Sequence, residues 1–106
     1  MRLTFDDDRA YEAFQFIWFG LVKTQLQANV GQMATLHLLL SKLAKISKEH
    51  EGGRVLIGEC EVELSQDEQI LALDAIAHTP WQPAVFPQVR RACEFLGAEF
   101  QQPAPA

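Results

Sequence analysis

Residues 3–17, LTFDDDRAYEAFQFI, and residues 62–76, VELSQDEQILALDAI, decide the fold, because each reads as a short strand, a polar helix start and an apolar helix. In the first, Leu3 and Phe5 alternate around Thr4, and Ala10, Tyr11, Ala13, Phe14 and Ile17 follow at helical spacing. In the second, Val62 and Leu64 alternate around Glu63, and Ile70, Ala72, Leu73 and Ile76 follow Ser65. A constant offset aligns Asp8 with Asp67, Ala13 with Ala72 and Ile17 with Ile76, which is near what chance allows. The shared pattern is stronger than the shared residues. It predicts an α+β fold of two βαα units around a small sheet that dimerisation would extend. The first unit has a strand at 2–5 and helices at about 7–27 and 30–50; the second has a strand at 54–64 and helices at about 66–78 and 86–97.

Around the first stretch, Asp6 is the expected helix cap, with Asp7 and Asp8 at the positive end of the dipole. Neighbouring aspartates on one turn point in different directions, so the triplet is not expected to hold a metal ion. From Ala13 to Val22 the helix carries no charge, and its aromatic and aliphatic residues occupy nearly the whole circumference. Burying an aromatic side chain contributes about 1.5–3 kcal/mol, so Phe16, Trp18 and Phe19 are expected against protein, in part against a second copy. Asn29 with Gln32 is the expected start of the next helix. There Met33, Leu36, Leu40 and Leu43 form a stripe flanked by Leu39 and Ile46. Lys42, Lys45 and Lys48 suit the negative end of its dipole, and Gly52-Gly53 is the expected stop.

Around the second stretch, Arg54 to Leu64 reads as one long strand. Leu56, Gly58, Cys60, Val62 and Leu64 lie on one face, and Val55, Ile57, Glu59, Glu61 and Glu63 on the other, the acids facing water or Arg2. Ser65 and Glu68 form a capping box. The helix that follows is expected to bury Ile70, Leu73, Ile76 and Ala77 and to end near Thr79-Pro80. Pro87 suits the first turn of the last helix, with Phe86, Val89, Cys93 and Leu96 inward, Arg90 and Glu94 paired outward and Gly97 as the stop.

A chain of 106 residues with 48% hydrophobic and 22% charged residues suits one globular domain, here residues 1–100, followed by a disordered tail at 101–106. A net charge of −5 argues against binding along a phosphate backbone. The start lacks the basic and apolar pattern of a secretory leader, and Phe16–Val22 is too short to span a bilayer. A cytoplasmic protein without membrane contact is expected. Cys60 and Cys93 are far apart and form no C-x-x-C pair, so free thiols are expected.

Catalytic motifs are absent from the sequence: there is no G-x-S-x-G elbow and no glycine-rich phosphate loop. His37, His50 and His78 lack the paired spacing of a zinc site, so neither metal nor cofactor is expected. The leading expectation is a small interaction module, an adaptor or regulator that binds another protein and forms a homodimer through the first helix or a strand edge. Its candidate binding residues are Trp81, His78, Phe16, Trp18 and Phe19. One alternative is a small-molecule or enzymatic site near the His78–Trp81 loop, with Glu59. Another is nucleic-acid binding through Arg90 and Arg91, opposed by the net charge and by too long a turn before the last helix.

Overall fold

The structure, a computed structural model, describes residues 1–25 and 30–97. The chain runs β1 (Arg2–Phe5), α1 (Asp8–Gln25), α2 (Val30–Lys45), β2 (Ser47–His50), β3 (Gly53–Leu56), β4 (Cys60–Glu63), α3 (Gln66–His78), a 3-10 turn (Pro83–Val85) and α4 (Phe86–Phe95). This is an α+β architecture, and the two βαα units form its frame. The expected Asn29 cap and the tail at 101–106 lie outside the described residues.

β1 and β4 pair antiparallel, with Leu3 opposite Val62, the residue it aligns with at the constant offset. Arg2 therefore faces Glu63, and Thr4 faces Glu61. This register places the halves about a local two-fold through Leu3 and Val62. The second helix of each unit packs on the first helix of the other, α4 on α1 and α2 on α3. The aligned pairs Ala13 with Ala72 and Ile17 with Ile76 are all buried. Arg2 meets the strand acids as expected, its guanidinium 3.4 Å from Glu63 and 3.8 Å from Glu61.

The long strand expected at 54–64 is two strands in two sheets. Cys60–Glu63 pairs with β1, whereas Gly53–Leu56 pairs with Ser47–His50, the stretch expected to finish the second helix. Ile57, Gly58 and Glu59 carry the chain between the sheets. Two features end α2 early. The Ser47 hydroxyl donates to the Leu43 carbonyl at 2.6 Å, and Arg54 donates to Ser47 Oγ, the Ser47 carbonyl and the Ala44 carbonyl. An arginine from β3 thus satisfies the Ala44 carbonyl, which the helix leaves open. Glu51 and Gly52 both have positive φ, 49° and 81°, and form the two-residue turn between His50 and Gly53. Consecutive positive φ values match the right-handed twist of a tight hairpin, so Gly52, expected to help stop a helix, turns a hairpin together with Glu51.

Other local expectations shift by a residue. Asp7, not Asp6, caps α1, its Oδ1 accepting from the Ala10 amide at 2.8 Å. α3 buries Leu71, Ala72, Ala75 and Ile76, while Ile70 is 49% exposed and Ala77 lies in solvent. The neighbour sets the rotation: α3 approaches α1 at Gly20, where a Cβ would stand 3.5 Å from Ala75 backbone atoms and from the Ile76 side chain, so the face carrying Ala75 and Ile76 is the one turned inward. The capping box of Ser65 and Glu68 is present. No helix among the described residues is long and apolar enough to cross a membrane.

Candidate interaction groove

The second half of α1 is covered from several sides. α3 and α4 pack on its core face, and β3 lies along another. Phe14, Ile17 and Leu21 are fully enclosed, and Trp18 stacks on Phe14 with ring centroids 6.4 Å apart. One chain therefore covers most of a helix that is apolar all round. Phe19 and Val22 escape, at 46% and 40% exposed.

Trp81 covers part of what remains. Its ring lies 5.3 Å from Phe16 and 5.4 Å from Phe19, and its indole N–H donates to the Ile76 carbonyl at 2.9 Å. The Thr79 hydroxyl donates to the Ala75 carbonyl, and the Trp81 amide donates to the Thr79 carbonyl. The proline-rich loop is thus tied to the end of α3 and holds a half-buried aromatic plug against α1. The His78 ring lies on its own helix, Nδ1 2.8 Å from the Asp74 carbonyl, and is exposed. Of the candidate residues, Phe16, Phe19 and Trp81 come together. Trp18 lies on the other flank of Phe19; Trp18 and Phe19 line the groove described next, and Phe16, His78 and Trp81 do not.

Between α1 and the β2–β3 hairpin runs an open groove of about 540 Å³. Trp18, Phe19, Val22 and Lys23 form one wall, and the turn from His50 to Val55 forms the other. Arg54 lies over the Trp18 ring at 5.3 Å, held by its bonds to the end of α2, and Lys23 lies over the Phe19 ring at 5.3 Å. Each cation faces the negative face of a ring, a contact worth about 0.5–1 kcal/mol at exposed sites. The groove combines an aromatic wall, two cations and the backbone of a glycine turn. Its imidazole, His50, is exposed and stands 3.9 Å from Glu51. No cluster of three metal-ligating side chains occurs among the described residues. Burial pushes both thiols up, with the Glu94 charge adding to the effect at Cys93, the opposite of what a nucleophile needs.

Lys23 and Arg54 were not among the residues expected to bind. The sequence signal is confined to the Glu51-Gly52-Gly53 turn and Arg54-Val55-Leu56 after it, because Lys48-Glu49-His50 before it carries no apolar residue. Of the two arginines considered for nucleic acid, Arg91 is engaged with Glu12 on α1 at 2.9 Å. No family model matches this chain, and no curated protein or solved structure shows significant similarity to it.

Proposed function

We propose that this chain is a cytoplasmic protein-interaction module, an adaptor or regulator that works as a homodimer and takes its partner protein in the groove between α1 and the hairpin. The observation that carries the reading is Phe19, an aromatic residue left 46% exposed at the edge of a groove that also displays Trp18 and Val22. Aromatic residues in partly enclosed pockets supply much of the binding energy in protein interfaces. An open groove with an apolar wall on one side and a polar turn on the other suits a protein segment. The test replaces Phe19 with a photo-crosslinking phenylalanine in the native cell and places the same group at Ile57, which is 67% exposed away from the groove. Adducts to another protein at position 19 and not at 57 are expected. Matching patterns from the two positions, or no protein adduct at 19, would overturn the reading.

A further inference from the structure

The outward face of α2 has a composition that its counterpart does not share. Val30, Ala34, Leu38 and Ser41 fall on one side of the helix, all exposed, with Val30 at 89% and Leu38 at 63%. No Asp, Glu, Lys or Arg occurs from Val30 to Ser41. The second helix of the other unit, α4, instead exposes Arg90, Arg91 and Glu94. Two helices in equivalent places thus present opposite surfaces, and solubility cannot account for the apolar one.

We infer that this face is the self-association surface: two copies pack α2 against α2 about a two-fold axis at Leu38, with the helices antiparallel. The inference rests on the homodimeric reading above and assigns its interface. Three observations select a second copy as the occupant. A two-fold contact must be complementary to itself, and on a chain of net charge −5 a strip without charge is where identical copies approach without repulsion. Leu38 lies near the midpoint of Val30–Lys45, so a crossing there overlaps the whole helix.

The third observation is charge. α2 runs antiparallel to α3: Lys42 reaches Glu68 at the start of α3, while Gly31 and Thr35 line a shallow groove with Ile70 and Asp74. An antiparallel partner brings its Lys45, at the end of α2, toward Asp74 beside the beginning of α2. Neither Lys45 nor the Asp74 carboxylate makes an ion pair among the described residues. Two such pairs would close the ends of the contact while Leu38 and Ile70 fill its middle. One helix pair is a small interface, so a dimer populated at about 100 µM and dissociating on dilution is expected.

Sedimentation of the whole chain from about ten to several hundred micromolar tests this. The wild type should shift from monomer to dimer, and L38E should stay monomeric with an unchanged circular dichroism spectrum. K45E should weaken association about tenfold, and the K45E/D74K double variant should recover it. Under mild oxidation L38C should form a disulfide-linked dimer that the wild type does not. A wild type that stays monomeric throughout would overturn both the interface and the homodimer, leaving the partner groove untouched. A dimer indifferent to L38E would overturn the α2 interface alone, and failure of the charge swap with L38C uncrosslinked would overturn the antiparallel arrangement.

Discussion

Glu68 ties three segments together. Its Oε1 accepts from Lys42 Nζ at 2.6 Å and from the Ser65 amide at 2.9 Å, while its own amide donates to the Ser65 hydroxyl. Lys42 also donates to the Glu63 carbonyl at 2.9 Å, so α2, β4 and the start of α3 meet at one carboxylate. Burial pushes the Glu68 carboxyl up, but hydrogen bonds from Lys42 and Ser65 and the Lys42 charge outweigh it, and the net shift is downward from 4.5. A folded value below the unfolded one means that Glu68 contributes stability above about pH 4.5, lost as pH falls through the lower folded value. Glu68→Gln should therefore cost about 1.5–3 kcal/mol in urea unfolding at pH 7 and much less at pH 3. An equal cost at both would show that the charge is not what matters. Ser65→Ala should cost about 1 kcal/mol through loss of the cap.

At the scale of elements, two glycines predict opposite outcomes. Gly20 sits inside α1, and a Cβ there would meet Ala75 and Ile76 atoms at ordinary contact distance, 3.5 Å. Alanine favours a helix over glycine by about 0.8–1 kcal/mol, so Gly20→Ala should raise the urea midpoint; a lowered one would mean that the α1–α3 crossing is tighter than these distances imply. Gly52 has open space around it but φ of +81°. Gly52→Ala forces a side chain into the left-handed region at about 1 kcal/mol, and its cost should appear as faster hydrogen exchange in β2 and β3 rather than in β1 and β4. The hairpin was hidden from the sequence because its first strand, Ser47–His50, is four residues long, mostly exposed and without an apolar residue, so it carries none of the alternation that marks a strand.

At the scale of the molecule, the core is continuous from the β1–β4 sheet through all four helices. Phe5 is fully buried, edge-on to Phe14 at 5.8 Å and 5.2 Å from Phe95, which joins β1, α1 and α4. Phe5→Ala should cost about 3–5 kcal/mol, measured by urea unfolding. Cys93 is 4% exposed on the inner face of α4, whereas Cys60 is half-buried at the start of β4. Under native conditions a thiol reagent should label Cys60 first. Cys93 labelling should follow global unfolding as urea rises, and equally fast labelling of both in buffer would show that α4 opens independently.

Residue pattern alone determined that there are two βαα units, which stretches form the helices, and that Ser65 and Glu68 cap α3. Those features depend on neighbours a few positions away, where periodicity and capping act. Tertiary structure decided where α2 stops, because the arginine that satisfies its Ala44 carbonyl comes from β3. It decided that the apparent long strand serves two sheets, since each half finds a different partner. It also decided which side of α3 is buried, because the close approach at Gly20 takes the face that carries Ala75 and Ile76 and leaves Ile70 outside. The groove beside α1 belongs to this second group: Trp18 and Arg54 are distant in sequence, and only the hairpin's packing against the helix makes them one surface.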